Sequence, residues 1–177
     1  MKKKIFLPYF LSLVLFLPLS FLTNSCNNHV SDRTFNDSFR FPVMIGPLRV
    51  HYAITLTQQQ TINATEAIIA HWTAFIYNYG TPIGNTNRDV YIFNLAFLNA
   101  PYLGDQKGWV DIDNNFRINV VIGTCDTVPD MTHQLVHSYY FPYEIYHRLP
   151  SVGFWTSVKI IQDSVVLQLK YIRHCPL

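Results

Sequence analysis

The chain has 177 residues, 49% of them apolar and 15% aromatic, with only 14% charged and a formal net charge of +2. Three of its 13 basic residues fall within the first four positions, and beyond them 10 basic side chains face 11 acidic ones, which gives no electrostatic footing for nucleic-acid binding. Sparse charge with abundant aromatic residues also excludes a disordered chain, and the length past residue 25 suffices for one domain with its own core.

Lys2, Lys3 and Lys4 form a basic start, Ile5 to Leu22 is apolar, and Thr23-Asn24-Ser25-Cys26 closes the run with a small residue before a cysteine. This layout resembles a bacterial lipoprotein signal with a relaxed lipobox, since Thr23 stands where Leu is usual and Asn24 is atypical. The resemblance implies a signal peptide over 1–25, acylation at Cys26, and a protein held on a membrane by a lipid anchor. That places it in the cell envelope, on the periplasmic face or the outer surface. An uncleaved transmembrane helix is the competing reading, opposed by Pro8 and Pro18. Residues 26–40 read as a tether, polar and rich in Asn and Ser, and 41–177 as a single domain.

Within that domain, Leu48 to Thr57 alternates as a strand, with Val50, Tyr52, Ile54 and Leu56 on one face. Asn63 to Tyr79 has a broad apolar face and ends at Gly80 and Pro82, which predicts an amphipathic helix. Val90 to Leu98 is an apolar strand, Trp109 to Asp111 starts another, and Asp113-Asn114-Asn115 turns into a strand over Phe116 to Ile122. A helix follows from about Asp130 to Tyr140, stopped near Pro142, with Asp130 placed to cap it. From Trp155 to Arg173, Ile161, Val165, Leu169 and Ile172 recur at helical spacing, although the Val and Ile content leaves a strand possible.

The helix from Asp130 holds the most specific signal, His133-Gln134-Leu135-Val136-His137. Histidines four apart lie one above the other on a helix, so both imidazoles can reach one metal ion. The bland alternative is a helix whose histidines only hydrogen-bond to neighbours. Cysteine usage agrees with export: once Cys26 is assigned to lipid, Cys125 and Cys175 remain, and they are expected to pair as a disulfide, the competing reading being two separate buried thiols.

The five-residue motif resembles the metal-binding helix of zincin metallopeptidases, and the element order resembles theirs over Asn63 to Trp155. The resemblance implies an α+β, zincin-like fold in which a helix and the metal-type helix pack on a small mixed sheet. It also implies a zinc ion. The family places Glu after the first histidine to take a proton from metal-bound water, and here that position is Gln134, which has nearly the shape of a carboxyl group but cannot accept the proton. A third ligand is required. Metzincins put a histidine six residues after the second, where this chain has Tyr143, and gluzincins use a later Glu, leaving Asp163 as the only downstream carboxylate after Glu144. His147 is the favoured candidate, because the chain can fold back between Pro142 and Pro150. Some small bacterial zincin-like proteins resemble this, with a ligand in a short loop and a Trp further on, as Trp155 is here. The competing reading of His147 is a surface loop histidine.

Glu144 stands as a replacement base, and Tyr139, Tyr140, Tyr143 and Tyr146 as hydrogen-bond donors to a metal-bound oxyanion or as pocket lining. His71 reads as a structural histidine, and Asp111 and Asp113 as edge and turn carboxylates. The resulting expectation is a membrane-anchored, zinc-binding pseudo-peptidase with a cleft for a peptide or protein ligand and little or no hydrolysis. The alternatives are an active zinc peptidase with an unusual base, and a surface adhesion lipoprotein without metal.

Overall fold

The structure is a computed structural model that describes residues 39–84, 86–94, 107–112, 115–142 and 147–176. The segment expected to be a signal peptide, Cys26, the expected tether up to residue 38, Asp113, Tyr143, Glu144 and Tyr146 lie outside the described residues, as do residues 95–98 of the strand expected over Val90 to Leu98.

The described chain runs β1 (Val43–Ile45), β2 (Leu48–Tyr52), α1 (Gln58–Tyr79), β3 (Arg88–Phe93), β4 (Gly108–Asp111), β5 (Arg117–Val121), α2 (Met131–Tyr139) and α3 (Val152–Ile172). The strands form one sheet in the order β1-β2-β3-β5-β4. β2, β3 and β5 are parallel, and β1 and β4 flank them antiparallel. The fold is therefore mixed α+β, with a five-stranded mixed sheet and three helices.

Register explains which face carries the helices. Leu48, Val50 and Tyr52 align with Arg88, Val90 and Ile92, and the last two of these with Ile118 and Val120. All but Arg88 are buried apolar residues. Tyr52 exchanges a 2.6 Å hydrogen bond with Thr65 of α1, while the Arg88 guanidinium donates to the Ser138 hydroxyl of α2 at 2.9 Å and lies 4.5 Å from the Tyr139 ring centre. Both helices thus cover one face of the sheet. α3 packs on α1 and α2 and forms a third tier. The opposite sheet face carries Arg49, His51 and Asp89, where the Asp89 carboxylate accepts from the Arg49 guanidinium, lies 2.8 Å from His51 Nε2, and is held below its ordinary value mainly by Arg49.

Several expected boundaries shift. The strand from Leu48 stops at Tyr52, and Ile54 is 54% exposed rather than on the buried face. Thr57 is instead the N-cap of α1: its hydroxyl accepts from the Gln60 amide at 3.1 Å, and the Gln60 side chain accepts from the Thr57 amide at 3.0 Å. This reciprocal capping starts the helix at Gln58, five residues before the expected Asn63. β1, absent from the expectation, hairpins onto β2 through Gly46 at φ +56°, a left-handed position that favours glycine. Residues 39 and 40, placed at the end of the expected tether, contact the domain, since Phe39 bridges Ala53 and the Arg40 guanidinium donates to the Leu56 carbonyl at 2.6 Å. α3 is a helix throughout, with Ser151 accepting from the Phe154 amide as its N-cap, which closes the strand alternative for this segment.

Candidate metal centre

α2 begins one residue after Asp130, as expected, but Asp130 does not cap it. Its carboxylate accepts from the Lys107 amide just ahead of β4 at 2.8 Å and, at 3.4 Å, from Gln162 of α3. Burial pushes the Asp130 carboxyl up to about 6 against these opposing hydrogen bonds. Gln162 supplies the missing cap: its Oε1 accepts from the His133 amide at 2.9 Å, satisfying an N-terminal donor that the helix itself cannot. A side chain of α3 thus fixes the first turn of α2, which carries the first histidine.

His133 and His137 lie one turn apart, with Nε2 atoms 3.1 Å from each other, and His147 brings its Nε2 within 3.1 Å of His137 Nε2. One ligand atom from each of the three residues lies within 4.8 Å of the others, with His137 buried and the other two partly exposed. His147 adopts φ +55°, a left-handed conformation uncommon for a side chain with a Cβ. His137 Nδ1 faces the Phe141 carbonyl at 3.1 Å. A carbonyl can only accept, so Nδ1 carries the proton and Nε2 presents its lone pair to the cluster. Burial holds His133 well below the ordinary histidine value, and the neighbouring imidazoles add to the effect, so it is a free base at neutral pH.

The residues present fit a divalent transition metal. Nitrogen lone pairs brought to 3.1 Å repel one another unless a proton or cation lies between them. Ligands about 2.0 to 2.1 Å from a tetrahedral zinc would stand about 3.3 Å apart, close to the two 3.1 Å separations from His137. Imidazole nitrogen also suits copper, nickel and iron, so the donor set defines a site for a metal ion without selecting among them.

Trp155 of α3 forms the floor. Its ring stacks on His137 with centroids 4.5 Å apart at 24°, and its centre lies 4.6 Å from the His147 ring and 5.3 Å from the His133 ring. Its indole N–H donates to the Leu149 carbonyl at 2.9 Å, which fastens the loop bearing His147 to the same helix. Gln134 is 1% exposed, and its Cγ lies 3.1 Å from where a Cβ on Gly108 of β4 would stand. Only glycine at position 108 leaves room for that side chain, because the same Cβ would meet Val120 at 2.8 Å and the Asn119 carbonyl at 2.9 Å.

The other expected candidates are placed elsewhere. Asp163 pairs with Lys159 on the exposed side of α3 and is not part of the cluster, so it is not the third ligand. The Tyr139 and Tyr140 hydroxyls donate to the Thr86 and Tyr79 carbonyls rather than toward an oxyanion. His71 is fully buried and shares a 2.7 Å hydrogen bond with Thr132, and burial pushes it down to about 3. Asp111 pairs with Arg117 across the β4–β5 edge. Cys125 and Cys175 form a disulfide with Cα atoms 6.3 Å apart, tying the turn ahead of α2 to the tail beyond α3, where Arg173 also donates to the Cys125 carbonyl at 2.7 Å. Gln162 escaped the sequence reading, although a glutamine on the inward stripe Trp155, Val158, Val165, Leu169 is a polar group where only a specific partner justifies burial.

The fold and site together define an α+β protein with a three-histidine cluster suited to a metal ion. Comparison of the chain with protein-family models, characterised proteins and solved structures finds no match.

Proposed function

We propose that His133, His137 and His147 hold one zinc ion, and that the protein is a zincin-like pseudo-peptidase that binds a peptide or protein ligand beside the metal with little or no hydrolysis. The convergence of three Nε2 atoms, with the His137 tautomer set by the Phe141 carbonyl, carries the reading. His133, His137 and His147 would hold the ion, and a zinc bound there would supply a Lewis acid to water or to a ligand group. The chain's own contribution is rigid placement: Gln162 anchors the turn bearing His133, and Trp155 supports all three rings. Gln134 can donate or accept a hydrogen bond but cannot take a proton from water at neutral pH, so binding is favoured over turnover.

Purified protein is expected to carry about one zinc per chain, and His137→Ala to lose it with the fold retained. A wild-type preparation that holds no zinc and takes up none when it is added overturns the reading. The same proposal anchors the protein to the cell envelope through acylated Cys26; fatty-acid labelling that persists in Cys26→Ala would remove that part.

A further inference from the structure

α3 is apolar on two opposite sides. Its inward stripe, Trp155, Val158, Val165 and Leu169 with Gln162 among them, is buried against the rest of the domain. At about 100° per residue, the line diametrically opposite runs through Gly153, Ser157, Ile160, Ser164, Leu167 and Tyr171, with no charge along it. Ile160, Leu167 and Tyr171 are 61%, 55% and 78% exposed. The alternating four- and three-residue spacing is the narrow seam of a coiled coil.

We propose that this seam packs against the same seam of a second copy, the two α3 helices running antiparallel about a twofold axis level with Gln162. In that register Ile160 of one copy faces Ser164 of the other, Leu167 faces Ser157, and Tyr171 faces Gly153, so each large side chain enters the space over a small one. Parallel pairing would instead set large on large and small on small, leaving gaps. A Cβ at Gly153 would meet only the Ser151 hydroxyl, at 3.8 Å, so the space over it is open. The two seam hydroxyls are already committed, Ser157 to the Gly153 carbonyl at 3.1 Å and Ser164 to the Ile160 carbonyl at 2.8 Å. Covering them strands no donor.

Charge agrees with the same axis. Lys159 and Asp163 form an ion pair beside the seam, and the twofold brings Asp163 of one copy within about two residues, roughly 3 Å along the helix, of the level of Lys159 in the other. Each ammonium gains a second carboxylate. A helix lying on a lipid surface would instead carry a row of cations along its polar face, and this outer side has Lys159, already paired, and Lys170. From Gly153 to Tyr171 the seam is about 27 Å long, and a strip of that length and about 10 Å wide covers about 270 Å² on each copy, about 540 Å² in all, the size of a weak, transient contact. The dimer is therefore reversible.

The test uses the full chain with Cys26→Ala, purified in mild detergent, so that the only free thiol is the one introduced. Sedimentation corrected for detergent should give a dimer at tens of micromolar, and Leu167→Asp or Ser157→Trp should give a monomer with unchanged thermal unfolding and zinc content. Chains carrying Ile160→Cys and chains carrying Ser164→Cys should cross-link on oxidation at least tenfold more when mixed than either does alone. A monomeric parent chain, a dimer indifferent to both substitutions, or a probe at position 164 quenched by lipid-borne quenchers in vesicles would each overturn the proposal.

Discussion

Replacing Gln162 tests whether α3 holds the metal helix in place. Gln162 is 7% exposed, and its carbonyl oxygen meets the His133 amide at 2.9 Å. Gln162→Leu keeps most of the volume and removes the acceptor, leaving the His133 amide without this cap, which costs about 1 to 3 kcal/mol. Gln162→Ala adds a cavity the size of the missing side chain, for a total of about 3 to 5 kcal/mol. Loss of the 3.4 Å contact to Asp130 adds little, because that hydrogen bond is long. Urea unfolding of chelator-treated protein measures both variants against wild type, and competition with a chromophoric chelator measures zinc affinity. Zinc should bind at least tenfold more weakly to each variant, since loss of an outer partner that orients a ligand typically costs 10- to 100-fold. Wild-type stability and zinc affinity in Gln162→Leu would refute the reasoning.

Three further outcomes follow from the structure. Asp130 has a folded value raised from 3.8 to about 6, so its contribution is fully present below about 3.8 and lost as pH rises through about 6. At 1.36 kcal/mol per unit the loss is about 3 kcal/mol; the metal-free stability difference between wild type and Asp130→Asn should change by that order between pH 4 and 7, and a flat difference curve contradicts the burial argument. Gln134→Glu, which restores a proton acceptor in nearly the same shape, should raise peptide hydrolysis by about 10² to 10⁴-fold over an almost inactive wild type, whereas an already active wild type that ignores the change would point to another base. Replacing Cys125 and Cys175 by serine opens a loop of 50 residues, for which chain entropy gives a loss of about 4 kcal/mol, read as a lower urea midpoint; an unshifted midpoint would show that Arg173 alone holds the tail.

The parts of the site that are local in sequence were legible. Two histidines four apart on a helix bounded near Asp130 and Pro142 have one geometric consequence, and α2 realises it. His147 could be proposed only as one ligand among competitors, because the turn that returns it depends on a floor supplied by Trp155 from another helix. The capping box Thr57-x-x-Gln60 was present in the letters but was hidden by the apparent strand alternation through Leu56. Asp130 has the chemistry of a cap, yet the Lys107 amide takes one of its oxygens, and a glutamine 32 residues downstream serves the helix instead. Such exchanges depend on which elements become neighbours. The order β1-β2-β3-β5-β4, with β4 inserted in sequence between two strands that pair with each other, is a non-local choice that periodicity does not encode.

The position of Trp155 makes the protein its own indicator. The indole centre lies 4.5 to 5.3 Å from the centres of the three imidazoles, and the other two tryptophans belong to α1 and β4. An ion bound by those imidazoles would lie close to the Trp155 indole, so a paramagnetic ion such as Cu²⁺ or Co²⁺ would quench its emission. The emission of Trp155, isolated by subtracting that of Trp155→Phe, would then report occupancy of the centre in real time, without any added dye.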